Sequence, residues 1–292
     1  MNEFTIRDLE NLSGIKAHTI RIWEQRYSFL KPKRTETNIR SYSNEELKIV
    51  LNIALLNKYG YKISHIDKMS EPELTQKILS LTTPEAVQDR IINELIQAMV
   101  DLDVEQLEAS LDNFIYSKGI DKAITQVVFP FLERIGILWM TNHINAAQEH
   151  IVSNIVRQKM IVGIEGALTH IRGNKTMLLF LPEGEHHELG LLYMHYLLKI
   201  RGVKVLYLGA DVPFKDLEFV ARFKKPHFIY THLTTKPRYF NLDKFLGRYT
   251  ANIPDIPLIV SGRLALTHGA KDYPGIHFKT SLPGVLEFVS TL

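Results

Sequence analysis

A short polar loop in the last third of the chain carries the residues best suited to metal chemistry. The loop Glu185-His-His-Glu-Leu-Gly190 follows the apolar run MLLFLP and precedes the helical pattern LLYMHYLLKI. An imidazole such as that of His187 can coordinate a metal, while a carboxylate two residues away holds the other ring nitrogen and raises its basicity. Gly190 lets a bulky ligand pass close to the backbone. Taken alone, the segment would be interpreted as a polar loop with incidental histidines.

A second candidate constellation lies where two predicted helices meet. Trp139 stands at the end of one helix, and Glu149 and His150 stand one turn into the next. This arrangement brings a large flat aromatic ring and a carboxylate–imidazole pair to the same end of the helical region. Taken separately, a tryptophan at a helix corner is usually packing, and an adjacent Glu-His is often a surface pair.

Several other chemistries are excluded or disfavoured by the composition. The 292 residues contain no cysteine, which excludes disulfides, thiolate metal sites and cysteine nucleophiles. The twelve histidines are scattered and form no His-Glu-x-x-His or comparable zinc pattern. We therefore expect His186, His195, His227 and His232 to be structural.

The loop at 185–190 is predicted to lie at the edge of a parallel sheet. From Thr176 onward, helical patterns alternate with the buried runs MLLFLP, KVLYLG, HFIYTHL, LIVSG and IHFK. Such alternation is typical of a doubly wound, Rossmann-like or flavodoxin-like parallel sheet covered on both faces. Ligands of these sheets bind outside the carboxyl ends of the strands, where the loop after the first strand lies.

The middle of the chain predicts a four-helix bundle. Thr83-Pro84 is a typical helix start, and helical patterns run over about 84–100, 104–116, 120–139 and 145–171. We therefore divide the chain into a head at 1–72, a helical bundle at 73–173 and a sheet domain at 174–292.

The distribution of charge separates the head from the bundle. Residues 1–70 hold 12 basic and 8 acidic side chains, a balance of +4, whereas residues 71–170 hold 7 and 14, a balance of −7. The acidic middle is a poor candidate for binding phosphate. The first residues carry acids without the apolar core of a signal peptide, and no run of about eighteen uncharged apolar residues occurs. We therefore expect a cytoplasmic protein.

The head has the pattern of a winged helix-turn-helix. Thr5 and Asp8 are typical of a helix start and Gly14 of its end, and a second helix follows at about 17–27. The basic segment LKPKRTETNIRSY then predicts an extended wing along a phosphate backbone. After it, Ser43-Asn-Glu-Glu46 is a capping box that opens a long helix.

The segment GIKAHTIRIWEQRYSFLKPKRTETNIRSYSNEEL resembles the head of the MerR family of regulators, over about residues 3–69. The resemblance implies that the recognition helix and the wing contact double-stranded DNA, and that such heads act as dimers on two half-sites. Trp23 and Tyr42 are expected in the core. The family's wing glycine is replaced near Asn38, and asparagine also tolerates a left-handed conformation. The predicted DNA contacts are Lys16, Thr19, Arg21, Arg26, Lys33, Arg34 and Arg40.

Together, the two candidate constellations resemble the cobalamin-binding domains of light-responsive MerR-type regulators of the CarH and LitR kind. The match consists of a Trp, nine residues and Glu-His in the bundle, and Glu-x-His-x-x-Gly in the loop, where the first residue is more often Asp. The resemblance implies that His187 is the lower axial ligand to cobalt and that Trp139 packs against an upper adenosyl group. Glu149 and His150 then line the pocket of that group.

The same resemblance implies a slot between strands for the displaced base of the cofactor. Thr231-His-Leu233 stands where the family has Ser-x-(Leu, Val or Thr), and Ser261-Gly262 stands where it has Gly-Gly, so that Ser261 narrows the slot. Met140 stands where some of these photoreceptors have a cobalt-capturing histidine. The predicted cofactor-binding residues are Trp139, Glu149, His150, Glu185, His187, Gly190, Thr231, Leu233, Ser261 and Gly262, with His187 as the metal ligand.

These features predict a DNA-binding transcriptional regulator, a repressor rather than an enzyme. Its oligomerisation, as a dimer or tetramer, and its operator binding would be controlled by adenosylcobalamin or methylcobalamin, with light as the signal. One alternative is a MerR-type regulator that has lost cobalamin and responds to another ligand or a protein partner. A remoter alternative is a corrinoid methyltransferase subunit, which would leave the head unexplained.

Overall fold

The computed structural model describes residues 3–36, 38–140, 144–168, 173–235, 240–268 and 273–292, and within these ranges the side chains of residues 137–140 and 268 are not described. The chain divides into two compact units, Met1–Ile155 and Val156–Leu292. None of the helices in the described ranges combines the length and the apolar character needed to cross a bilayer.

The head begins with the predicted capped helix. The Thr5 hydroxyl accepts a hydrogen bond from the Asp8 N–H (3.3 Å), and the Thr5 N–H donates to the Asp8 carboxylate (2.6 Å). The same reciprocal box joins Ser43 and Glu46 at the start of the long helix, so both predicted starts are confirmed. The elements of the head are α1 (Ile6–Ser13), α2 (Ala17–Arg26), β1 (Lys33–Arg34), β2 (Arg40–Ser41), α3 (Asn44–Lys58), α4 (Ile63–Ile66) and α5 (Glu71–Leu79).

The bundle departs from the predicted pattern at two places. The helix expected over 120–139 contains a π-helical segment, in which the Phe129 N–H bonds to the Ile124 carbonyl. Pro130 explains this, because its ring would clash with the carbonyl four residues earlier in a regular helix. The last helix ends at Gly166 rather than near 171. The elements are α6 (Pro84–Asp101), α7 (Val104–Lys118), α8 (Ile120–Lys122), the π-helix Ala123–Val128, α9 (Phe129–Met140) and α10 (Ala146–Gly166).

Within the first unit, a polar cluster around Asp89 joins the head to the bundle. The Asp89 carboxylate of α6 accepts from the Tyr59 hydroxyl (2.7 Å) and pairs with Lys58 (2.5 Å), both at the end of α3. Arg134 of α9 lies 3.5 Å from the other Asp89 oxygen. Three elements are therefore joined at one half-buried carboxylate.

The second unit contains the predicted doubly wound sheet. Its five strands are all parallel, in the order β4-β3-β5-β6-β7, which is the 2-1-3-4-5 order of flavodoxin-like folds. The first strand is buried over nearly its whole length, as its continuous apolar run predicts. The elements are β3 (Thr176–Pro182), α11 (Leu189–Ile200), β4 (Lys204–Val212), α12 (Phe214–Lys224), β5 (Phe228–His232), α13 (Leu242–Asn252), β6 (Leu258–Ser261), α14 (Arg263–His268), β7 (Ile276–Lys279) and α15 (Leu282–Ser290).

The strand register assigns the central side chains to two faces. Thr231 of β5 pairs with Phe180 of β3, so the two side chains share one face of the sheet, and this face carries an apolar cluster. His232 pairs with Ser261 of β6, so these two side chains share the opposite face. The order of the strands reverses between β3 and β5, and this switch point is where doubly wound sheets bind ligands.

Candidate functional site

The loop between β3 and α11 is held in place by the end of β4. The Gly184 N–H donates to the Asp211 carboxylate (2.7 Å), and the Asp211 N–H donates to the Glu185 carbonyl (3.2 Å). Asp211 has a positive φ of 57°, a conformation that aspartate tolerates better than most residues. The loop 183–188 is therefore fixed at the carboxyl edge of the sheet.

The Glu185 carboxylate is the buried centre of this edge. One oxygen accepts from the backbone N–H groups of His186 and His187 (both 3.0 Å), and the other accepts from those of Thr234 (3.1 Å) and Thr235 (2.8 Å). Burial alone would raise the pKa of this carboxyl, but the hydrogen bonds from His187 and Thr235 outweigh it and lower the pKa to about 2. The charged carboxylate therefore joins the loop after β3 to the loop after β5.

His187 is oriented by this carboxylate as the sequence predicts. Its Nδ1 lies 2.5 Å from the Glu185 Oε1, while 42% of the imidazole side chain remains exposed. A carboxylate at Nδ1 fixes the tautomer with the proton on that nitrogen, which leaves Nε2 as the atom that would coordinate a metal. A histidine–carboxylate pair of this kind is a typical metal-binding arrangement.

The residues of the predicted slot are divided between the two faces of the sheet. Thr231 and Leu233 are fully buried, and the Thr231 hydroxyl is a buried oxygen with no hydrogen-bond partner among the described residues. Gly262 packs closely against Leu233: a Cβ added to Gly262 would lie only 2.5 Å from the Leu233 carbonyl oxygen. A buried hydroxyl without a partner among the described residues fits a polar group of a ligand.

Gly190 and Ser261 have a neighbour that the sequence did not indicate. An added Cβ on Gly190 would lie 2.4 Å from the His232 ring. The histidine therefore fills the space beside Gly190 in which the sequence led us to expect a ligand. The His232 Nδ1 in turn lies 2.8 Å from the Ser261 hydroxyl. Burial lowers the pKa of His232 to about 4, so the ring is neutral near pH 7.

In the bundle, the neighbouring side chains of Glu149 and His150 contact each other. The Glu149 carboxylate is buried at the start of α10, lies 2.9 Å from the His150 Nδ1 and accepts from the Ser153 hydroxyl. The His150 side chain is 73% exposed. The side chains of Trp139 and Met140 lie outside the described residues, so their predicted roles remain predictions.

In the head, the two predicted core aromatics are buried and the wing has the expected turn. Trp23 is 4% and Tyr42 0% exposed, and Asn38 has a φ of 61° and accepts from the Arg34 guanidinium (2.7 Å). Of the predicted DNA contacts, the structure leaves exposed Lys16, Arg21, Arg26, Lys33 and Arg34, and leaves Thr19 half-buried.

Arg40, the remaining predicted contact, is half-buried and pairs with another residue of the head. Its Nε lies 2.7 Å from the carboxylate of Glu24 on α2, which also accepts from the Tyr42 hydroxyl. Burial and the contact with Glu24 raise the pKa of Tyr42 well above its ordinary value. Arg40 and Glu24 therefore fix the wing against the recognition helix, a link that sequence reasoning missed because it joins positions sixteen residues apart.

Other residues of the sheet edge were also missed. Thr234 and Thr235 bind Glu185 from the loop after β5, and Tyr207 (3.0 Å) and Arg157 (2.9 Å) bind Glu188. The available signal was position alone, since Thr234 and Thr235 follow the strand that neighbours β3. The described residues contain no cluster of three or more histidine, aspartate or glutamate side chains arranged to hold a metal ion.

The fold and the site together define a class of protein. It is the class of helix-turn-helix regulators in which a helical region and an α/β region follow the head. The model of the MerR HTH family regulatory protein matches residues 4–71, and that of the B12 binding domain matches residues 91–162. The chain is 30% identical over 217 residues to the HTH-type transcriptional repressor CarA of Myxococcus xanthus, covering 73% of this chain and 70% of the relative. The chain belongs to the family of MerR-type regulators with a B12-binding domain that includes this repressor.

Two further similarities agree with this assignment. The HTH-type transcriptional repressor CarH of Myxococcus xanthus is 28% identical over 275 residues, which cover 91% of each chain. Both curated relatives are repressors rather than enzymes, as the sequence led us to expect of this chain. The monomethylamine corrinoid protein of Methanosarcina barkeri superposes with a TM-score of 0.57 at 13% identity, over 70% of this chain and all of that protein. This last similarity confirms the predicted fold alone.

Proposed function

We propose that this chain is a transcriptional repressor whose DNA binding and oligomerisation are controlled by bound adenosylcobalamin, with light as the signal. The observation that carries the proposal is the His187 imidazole, which the buried Glu185 carboxylate holds at the switch point of the sheet. The B12-binding model matched in the bundle supports the same choice of ligand.

Each residue of the sheet edge has a distinct role in this proposal. His187 would hold the cobalt through Nε2, while Glu185 keeps Nδ1 protonated and raises the basicity of the ring. Thr234 and Thr235 hold the carboxylate in place and thereby fix the imidazole. Trp139, Glu149 and His150 would form the pocket of the adenosyl group. Bound adenosylcobalamin supplies a cobalt–carbon bond that light can break.

In the head, the exposed cations of the recognition helix and wing carry the DNA contacts. Arg21 and Arg26 lie on α2, and Lys33 and Arg34 lie on the first strand of the wing. Each phosphate contact that such a cation makes contributes about 0.9 to the slope of log affinity against log salt. Arg40 acts through Glu24, as a positioning residue for the wing.

The first experiment tests cofactor retention. The purified protein is mixed with adenosylcobalamin in the dark, desalted and examined by absorption spectroscopy before and after illumination. We expect a retained corrinoid spectrum of the form in which a protein histidine replaces the cofactor's own base, and a change on illumination. His187→Ala should lose that spectrum, whereas His186→Ala, an exposed neighbour, should keep it. Retention of the same spectrum by His187→Ala would refute the ligand assignment.

The second experiment tests control of the DNA-binding state. Operator DNA obtained by selection from a random library is titrated with the cofactor-loaded protein in the dark and after illumination, and the oligomer is measured in both states by gel filtration. A change of about a hundredfold in affinity requires about 2.7 kcal/mol of coupling, which is within the usual allosteric range. Equal affinities and equal oligomers in both states would refute control by light and leave a cofactor-binding repressor with another signal.

A further inference from the structure

Gly190 is required by its contact with His232 rather than by its backbone conformation. A Cβ added to Gly190 would lie 2.4 Å from Cδ2, 2.5 Å from Nε2 and 2.7 Å from Cγ of the His232 ring. Gly190 has no positive φ, so an L-residue could adopt its conformation if the ring were absent. The imidazole of His232 therefore occupies the recess beside the first turn of α11, next to the loop that carries His187.

The His232 ring is held in this recess by a chain of hydrogen bonds. Its Nδ1 lies 2.8 Å from the Ser261 hydroxyl, which lies 2.5 Å from the Tyr230 hydroxyl. Ser261 and Tyr230 are each 1% exposed. Because a neutral imidazole accepts at one nitrogen, the chain is consistent in direction if Tyr230 donates to Ser261 and Ser261 donates to the His232 Nδ1. The histidine is thus held by the buried Ser261 hydroxyl, which Tyr230 holds in turn.

This recess matters if a corrinoid binds as proposed above. When His187 takes the lower position on the metal, the nucleotide base that a cobalamin carries is displaced from it, yet remains tethered to the corrin. A tethered base needs a place near His187, and the recess beside Gly190 already holds an imidazole. A fused benzimidazole is larger than that imidazole and cannot share the space with it.

We propose that His232, anchored by Ser261, determines which corrinoids this chain accepts by closing the recess beside Gly190 to a nucleotide base. A corrinoid without the nucleotide, such as a cobinamide, meets no such obstacle. A complete cobalamin binds only with His232 turned away from Ser261, which breaks one buried hydrogen bond. The loss of one such bond corresponds to roughly a tenfold weakening of binding. This inference rests on the proposed corrinoid site at His187.

The test compares two probes in the dark, adenosylcobalamin and adenosylcobinamide, by absorption titration of the full-length protein. We expect His232→Ala to bind adenosylcobalamin about tenfold more tightly than the unaltered protein, with adenosylcobinamide unchanged within twofold. Ser261→Ala keeps the imidazole but frees it, and should produce the same selective gain of about fivefold. His277→Ala, an exposed histidine on β7, is the matched control and should change neither affinity.

The outcomes separate this inference from the function on which it rests. If both variants bind both probes as the unaltered protein does, His232 does not control selectivity and the inference is wrong. If Ser261→Ala alone is folded, as judged by circular dichroism, its selectivity decides the question in the same way. If no variant binds either probe, the proposed corrinoid site itself fails, and the inference fails with it. Binding of cobalamin by His232→Ala but not by the unaltered protein would support the inference and refute control of the unaltered protein by adenosylcobalamin.

Discussion

Replacing Glu185 by glutamine should remove the charge that joins two loops of the sheet edge while keeping the size of the side chain. One carboxylate oxygen accepts from His186 and His187, and the other from Thr234 and Thr235. In either orientation, the amide NH2 of glutamine would face donors on one side. Burial opposes the charge, but the hydrogen bonds from His187 and Thr235 outweigh it, and the pKa lies at about 2 instead of 4.5. At about 1.4 kcal/mol per pKa unit, the charged form contributes about 3–4 kcal/mol to stability.

The pH dependence follows from the direction of this pKa shift. Because the pKa of Glu185 is lower in the folded protein than in the unfolded chain, its contribution is fully present above about pH 4.5 and is lost as the pH falls towards 2. We expect Glu185→Gln to unfold at a lower urea concentration at pH 7, with a free energy of unfolding reduced by about 3–4 kcal/mol, and this difference should shrink below pH 4.5. Urea unfolding followed by far-ultraviolet circular dichroism at several pH values measures both the loss at pH 7 and its decrease at lower pH.

A control and a second readout keep this prediction specific. Glu183→Gln changes an exposed carboxylate of the same loop and should leave the urea midpoint unchanged. Glu185→Gln should also weaken corrinoid retention by 10- to 100-fold, as is typical when the carboxylate partner of a metal-binding histidine is altered. Equal urea midpoints for Glu185→Gln and the unaltered protein at pH 7 would refute the reasoning, as would a difference that does not depend on pH.

Three further predictions concern the first unit. Asn38→Val should destabilise the wing by about 1–2 kcal/mol, because a β-branched residue resists the φ of 61°, whereas Asn38→Gly should be near neutral; thermal unfolding and DNA affinity measure both. Tyr42→Phe should cost about 1–3 kcal/mol, since it leaves a buried oxygen of Glu24 without its donor, and an unchanged melting temperature would contradict this. Asp89→Asn should cost about 2 kcal/mol in urea unfolding, because it removes the charge shared by Lys58, Tyr59 and Arg134; a loss that vanishes in high salt would instead indicate a screened surface pair.

Local features of the fold could be predicted from the sequence because they depend on neighbours along the chain. A hydroxyl and an acid three residues apart satisfy the first N–H groups of a helix wherever that helix lies, so the starts at Thr5 and Ser43 were predictable. The same holds for the left-handed turn at Asn38. The continuous apolar runs predicted parallel strands, and the polar segment after the first run placed His187 and Glu185 at the ligand-binding edge.

Other local features escaped prediction because competing rules apply to them. Helix α5 begins with a capping box at Ser70 and Glu73, but this short helix was not distinguished in the sequence from the helices that follow it. The π-helical segment before Pro130 depends on how the chain avoids a clash, which periodicity does not reveal. The end of α10 at Gly166 shows that an apolar pattern can continue beyond the last helical residue.

By itself, the sequence determined that this protein has a winged helix-turn-helix head, a helical bundle and a parallel sheet with a histidine–carboxylate loop, because each depends on short-range patterns of burial and capping. Only the tertiary structure decided that Glu185 is held by Thr235, fifty residues further on, and that His232 lies against Gly190. Those contacts are set by the order and register of the strands. Strand order and register in turn depend on burial of apolar side chains across the whole sheet. The histidine–carboxylate loop was therefore visible in the sequence. The residues that hold its carboxylate, and the histidine ring that fills the space beside Gly190, depend on the fold.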